Sequence, residues 1–277
     1  MAAFLALILP LATWFAAPRL YRWRQRRRLL RVCRAHRVVA ITFDDGPGRQ
    51  LTPVVLERLA LAGVPATFFL LGRQIPGRED VVARIRDHGH EIGSHGVEHE
   101  HHLNTWPWRG VRDMTASLRH LETLLDRRRG DVAFRPPHGK MNPWSMLVAW
   151  WRGTPVATWT HDSNDTRLDL DEPPRETADR LRRSGGGVVL LHDFDRTIPN
   201  PTARVLARLD AILRLQLEGY RFVRFADLDV LARGGAVPAP VRPLRLAPPD
   251  PAPPLDPPLW PPQKRRRRKK RHPGGGA

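Results

Sequence analysis

Short apolar runs and helix-spaced segments take turns along this chain, and that alternation limits the fold more than any other feature. The runs VVAITF (38–43), ATFFLL (66–71), VAF (132–134), PVATWT (155–160), GVVLLH (187–192) and YRFVRF (220–225) are rich in β-branched and aromatic residues. A shorter one, EIGSH (91–95), falls between the second and third. Segments of helical spacing separate them at 52–62, 80–87, 111–126, 143–152, 174–183 and 202–218. Strand and helix alternating in this way imply an α/β domain on a parallel sheet wrapped by helices. Strands this apolar are buried on both faces. Periodicity alone leaves both a barrel and an open doubly wound sheet standing.

The two ends differ from this middle. Residues 2–17 form an uncharged apolar stretch interrupted by Pro10, short of the roughly 20 residues a full membrane span needs. Nine arginines and no acid follow between residues 19 and 37. The predicted first unit, 1–37, is therefore a membrane-anchor-like segment with an arginine-rich flank. At the other end, 238–262 holds twelve prolines, and 264–271 is an unbroken run of eight basic residues. The predicted last unit, 236–277, is a Pro-rich, basic, disordered tail. Between the two basic runs, 38–263 carries 29 basic and 28 acidic residues, so the formal charge of +18 sits at the termini. A domain that grips nucleic acid carries such charge on its own face, so nucleic-acid binding is not expected as the main function. Cys33 is the one cysteine, which excludes an intramolecular disulfide and a cysteine-based zinc site.

In parallel α/β folds, reactive groups gather at the carboxyl ends of strands. Here the first strand run ends in Asp44-Asp45-Gly46-Pro47, and the 91–95 run opens a segment, 88–102, that holds six of the twelve histidines. The later runs end in Arg135-Pro136-Pro137-His138-Gly139, in His161-Asp162-Ser163-Asn164-Asp165 and in His192-Asp193. Each feature alone has a plain structural reading. Asp-Asp-Gly-Pro makes a turn, Arg-Pro-Pro a rigid loop, and His192 a capped core histidine. His95 and His99, four apart, would share a metal only if they face one way. All of these falling in register at successive strand ends is hard to explain as independent structural accidents.

The set in this order, TFDDG, His-x-x-x-His, Arg-x-Pro-x-Gly, Asp-x-x-Asp and Leu-x-His, resembles the polysaccharide deacetylases, the NodB-like carbohydrate esterases of family 4. The likeness covers about 38–231, within an expected catalytic domain of 38–235. It implies a deformed (β/α) barrel, usually counted as seven parallel strands, and metal-dependent removal of acetyl groups from N-acetylated sugars. Carried over by position, Asp45, His95 and His99 would hold one divalent metal, zinc first, with cobalt, iron or nickel accepting the same donors. Asp44 would be the general base, oriented by Arg135. His192, held by Asp165, would protonate the leaving amine. The backbone N–H of His138 would stabilise the oxyanion, and Leu190 would line the acetyl pocket.

The chain departs from the family pattern at three positions. Gly96 stands for Ser or Thr in the second metal motif, His138 for tyrosine, and Thr166 for a tryptophan of the substrate groove. Trp106 and Trp108 would supply stacking surface in its place, with at least one of them expected to be buried. His101 and His102 are expected on the loop rim, His88 and His90 in structural roles. The expected activity is N-deacetylation of a GlcNAc-containing glycan such as peptidoglycan, chitin-like oligomers or an exopolysaccharide. Two alternatives stand beside it: a deacylase or deformylase of a lipid-linked sugar, and a catalytically silent glycan- or membrane-binding protein. The arginine flank favours retention of the domain in the cytoplasm, whereas polymerised glycans lie outside. The expected location is membrane-associated and extracytoplasmic.

Overall fold

A computed structural model describes residues 2–170, 172–195 and 201–237. The tail predicted from 236 lies outside the described residues from 238 onward. The chain opens with α1 (Ala2–His36) and then runs β1 (Val38–Asp44), α2 (Leu51–Ala62), β2 (Thr67–Leu70), α3 (Glu79–Asp87) and β3 (Glu91–Ser94). Two helices follow, α4 (Pro107–Leu124) and α5 (Pro143–Arg152), then β4 (His161–Asp162), α6 (Glu176–Ser184), β5 (Gly187–His192), α7 (Pro201–Leu213), β6 (Arg221–Phe222) and α8 (Asp227–Ala232). All strand pairs are parallel, in the order β3-β2-β1-β5-β4, with β6 paired to the start of β1.

The sheet curls until its edges nearly meet. Ser94 bridges Phe134, and Phe134 bridges Val156. The segment after Val156 then enters β4, which pairs with β5. The runs 132–134 and 155–160 were predicted as strands, yet the first reduces to the bridge at Phe134 and the second to the bridge at Val156 with β4 just beyond. Pro136, Pro137 and Pro155 lack the N–H that a longer ladder would need. The run 220–225 shortens for a different reason. The Arg224 N–H bonds the Asp227 carboxylate and the Phe225 N–H bonds the Thr67 hydroxyl, so neither is free for a strand.

Every residue of β1 is buried, and its two faces serve different ends. Val39, Ile41 and Phe43 join the main core with Val55, Leu56 and Leu59 of α2. On the other face Val38 and Ala40 pack against Leu29 and Cys33 of α1, and Thr42 and Asp44 above them meet Arg135. Strand alternation thus stacks an apolar floor beneath a polar site.

The second half of the N-terminal helix packs on the domain. Among the described residues no helix is long and apolar enough to cross a membrane. The arginine-rich half of α1 is docked on the sheet: Arg22 donates to the Gly139 carbonyl at 3.1 Å, Arg26 to the Thr160 carbonyl at 3.0 Å, and Arg28 pairs with Asp229 at 2.9 Å. With Leu29 and Cys33 in the core, a boundary drawn at residue 37 cuts through packed structure.

Candidate active site

Strand register assembles the site. Asp44 ends β1 directly beside His192, the last residue of β5, so an acid and an imidazole 148 positions apart in sequence become neighbours. Asp45 turns out of the strand with φ 71°. Its carboxylate meets His95, just past β3, and His99, which also has a positive φ of 59°. Asp45 Oδ1 lies 3.5 Å from His95 Nε2 and 3.3 Å from His99 Nε2. One ligand atom from each of the three residues lies within 4.8 Å of the other two. Left-handed backbone at Asp and His is costly and persists where the surroundings enforce it.

The donor set fits a cation. His95 Nδ1 is 2.8 Å from the Arg135 carbonyl; a carbonyl only accepts, so Nδ1 carries the proton and Nε2 a lone pair. Burial pushes the His95 imidazole down to about 3, which keeps it neutral. A lone pair then faces a carboxylate oxygen across 3.5 Å, an arrangement that is repulsive unless a positive ion sits between them.

Asp44 lies beside this trio, its Oδ2 3.7 Å from His95 Nε2, and is held by a different partner. Arg135 is fully buried and donates from Nη1 to Asp44 Oδ1 and to Thr42 Oγ1, each at 2.8 Å. Its guanidinium lies 4.0 Å from the centre of the Phe69 ring. Burial raises the Asp44 carboxyl above the usual range, against the lowering pull of Arg135 and His192. Asp165 accepts from His192 Nδ1 at 2.9 Å through one oxygen and from the His192 N–H at 2.9 Å through the other. Ser163 donates to Asp165 Oδ1 at 3.0 Å. The buried Leu190 sits two residues before His192, opposite Thr42. His138 has φ 57°, with its ring 4.5 Å from that of His99 and 4.9 Å from that of His101.

Several neighbours differ from the sequence reading. His102 is not on the rim: it is fully buried, stacked on Phe134 at 5.6 Å, with Nε2 3.3 Å from Asp113 Oδ2. His101 is also drawn in, against His138. Trp106 and Trp108 are both exposed and stacked on each other at 5.0 Å, so neither is the buried packing residue expected. His90 is buried and accepts from the Ala66 N–H at 3.1 Å, a structural contact.

Two acids escaped the sequence reading. Asp113 of α4 is buried and accepts the N–H groups of Val97 and Glu98 at 3.0 and 2.9 Å, holding the turn between His95 and His99. Gly96 has φ +87°, and a Cβ there would overlap the Asp113 carboxylate. Glycine at this position therefore goes with the acid that takes up its space. Asp193 is buried beneath Gly46, with the Thr52 hydroxyl 2.6 Å from its Oδ2. Burial lifts its carboxyl to about 7. The His192-Asp193 pair at a strand end was its only sequence signal; Asp113 had none, being one helical acid among many.

A carboxylate and two imidazoles able to hold a metal ion, beside a second, arginine-held carboxylate, make a candidate hydrolytic centre at the mouth of a parallel α/β sheet. The family described as polysaccharide deacetylase matches residues 31–149. A peptidoglycan-N-acetylglucosamine deacetylase of Bacillus cereus is 31% identical over 195 residues, covering 69% of this chain and 88% of that protein. A Listeria monocytogenes peptidoglycan-N-acetylglucosamine deacetylase, PgdA, is 29% identical over 69% of this chain, which spans only 38% of that longer protein. The solved structure of the peptidoglycan deacetylase PdaC from Bacillus subtilis superposes with a TM-score of 0.59 at 26% identity, covering 71% of this chain and 92% of that one. The chain belongs to the polysaccharide deacetylase family and is an enzyme of that family, a hydrolase of carbohydrate acetyl groups.

Proposed function

We propose that this enzyme removes N-acetyl groups from a GlcNAc-containing wall glycan, with peptidoglycan as the first candidate, on a deformed (β/α) barrel formed by residues 38–235 with the docked half of α1. The observation that carries the reading is the Asp45–His95–His99 cluster set beside Asp44. Those three residues would hold one divalent ion, zinc in the first instance, with cobalt, iron or nickel fitting the same donors. When bound, the ion supplies Lewis-acid polarisation of the acetyl carbonyl and makes water a better nucleophile.

The remaining chemistry belongs to the side chains. Asp44 takes the proton of the attacking water, and its burial-raised pKa makes it a stronger base than a free carboxylate. Arg135 fixes the Asp44 carboxylate so that one oxygen stays free to accept. The backbone N–H of His138 would receive the developing oxyanion. His192 gives a proton to the sugar nitrogen as the C–N bond breaks, and Asp165 holds the ring through Nδ1 so that Nε2 is the donor. Leu190 lines the space for the acetyl methyl. Acetate and a free amine are the products.

Acetate release from peptidoglycan and from an N-acetylated chitooligosaccharide, measured with metal content, tests the reading. Activity should track one equivalent of metal and vanish on chelation. Metal binding with no acetate from any glycan would instead favour the silent binding protein.

A lipid-linked sugar remains a second reading because of one observation. α1 turns at Arg37 directly into β1, and its Arg22 reaches Gly139 beside His138, so the helix before Arg22 departs from the side of the domain that carries the mouth of the site. An apolar helix leaving from that end would bring the mouth toward a lipid surface. The wall glycans named for the relatives support a location on the wall side of the membrane. A phosphatase fused after Leu231 should be active; an inactive fusion at normal protein levels would put the lipid-linked reading first.

A further inference from the structure

On α5 four large apolar side chains point away from the protein. Trp144, Leu147, Trp150 and Trp151 are 55%, 52%, 78% and 69% exposed. A ten-residue helix whose inner face already buries Ser145, Ala149 and Arg152 does not need them for the fold. Exposed tryptophan on this scale marks a surface that meets something less polar than water. Beside it lies α1, since Pro18, Tyr21 and Met146 line one cleft between the two helices. α1 exposes Leu20 and Trp23, and Arg27 stacks over the Trp23 ring at 4.1 Å. Across α1 and α5 there is no Asp or Glu at all. Arg129 extends the same pattern by covering the Trp151 ring at 4.0 Å.

Tryptophan rings interleaved with guanidinium groups, on two helices that carry no acid of their own, match the interfacial layer of an anionic bilayer: indole settles at headgroup depth and arginine meets lipid phosphate. A protein partner of the same shape would be expected to answer some of these arginines with acids, and a second copy of this face would oppose arginine to arginine. We infer that the joint face of α1 and α5 is a docking surface for an anionic phospholipid bilayer. This deepens the membrane association expected from the sequence, and it asks for no transmembrane segment. It also orients the enzyme. The Arg22 contact to Gly139 puts the upper end of this face at the rim of the catalytic mouth, so docking keeps the mouth beside the membrane.

The test uses the full chain with vesicles of phosphatidylglycerol and phosphatidylcholine, and vesicles of phosphatidylcholine alone. Wild type is compared with Trp144→Ser/Trp150→Ser/Trp151→Ser and with Leu147→Glu, all at exposed positions outside the site. Partition into the anionic vesicles should fall by about tenfold or more in the triple variant and also fall in Leu147→Glu, while acetate release from a soluble oligosaccharide stays at the wild-type rate. Lipids brominated near the headgroup should quench wild-type tryptophan fluorescence more than that of the triple variant. Partition unchanged within about twofold would overturn the inference, leaving membrane contact to other parts of the chain. A wild-type dimer that the triple variant dissolves, with partition unaffected, would overturn it in favour of self-association. Neither result bears on deacetylation, which the acetate assay reads separately.

Discussion

At the scale of single residues, the site is organised by buried charges, most of which lie outside the Asp45–His95–His99 trio. Asp113 is the clearest case. Its carboxylate satisfies two backbone donors of the turn that carries His99 and occupies the space a side chain at Gly96 would need. Asp113→Ala should strand both N–H groups and cost roughly 1–3 kcal/mol. It should also weaken metal binding by about 10–100-fold, as loss of a supporting contact does. Metal titration beside thermal melts checks this; unchanged affinity with lowered stability would reduce Asp113 to a fold residue. Asp44→Asn makes the opposite prediction. The amide keeps the shape and an oxygen for Arg135 but cannot take a proton, so metal content should persist while turnover falls by about 100-fold or more. Loss of metal together with activity would exchange the roles assigned to Asp44 and Asp45.

At the scale of elements, what was legible in the sequence follows from burial. β1 and β5 were readable because strands covered on both faces leave continuous apolar runs. The His-x-x-x-His and Asp-Asp pairs were readable because their order along the chain mirrors strand order. The bridges at Phe134 and Val156 were not readable as such, since prolines truncate their ladders while the apolar pattern persists. The docked half of α1 was hidden too, because two buried residues among many arginines leave a faint periodic signal. The entry to β3 shows how a local contact sets a pH response. His90 must be neutral to accept the Ala66 N–H, and burial holds its pKa near 3. A depressed imidazole pKa means the unfolded chain binds the proton first, so this contribution to stability is complete above about 6.5 and is lost as pH falls toward 3. His90→Gln, which also offers an acceptor but does not titrate, should flatten the acid side of the stability curve measured by denaturant unfolding between pH 7 and 4. An equally steep fall in that variant would assign the acid lability to the other buried histidines.

At the scale of the whole molecule, basicity and function separate: the folded middle is nearly neutral, and most of the positive charge lies in α1 and the tail. The structure makes α1 a member of the domain over its second half. Leu29 is 4% exposed and Cys33 fully buried against Val38, Ala40, Val188 and Val223, and Arg26 reaches the segment that leads into β4. Two shortened chains separate the jobs of the helix. One beginning at Trp14 keeps every docking contact described for α1, and should retain its melting temperature and its turnover on a soluble oligosaccharide. One beginning at Val38 uncovers the floor beneath the catalytic residues, and losing a side chain like Leu29 alone costs about 2–5 kcal/mol. Against a total stability of roughly 5–15 kcal/mol, that chain should unfold at a markedly lower temperature or fail to accumulate, with turnover falling because the β1 face that carries Asp44 loses its support. If the chain from Val38 melted and turned over like the full protein, the arginine-rich half of α1 would serve only as a surface appendage, and the catalytic domain would begin at β1.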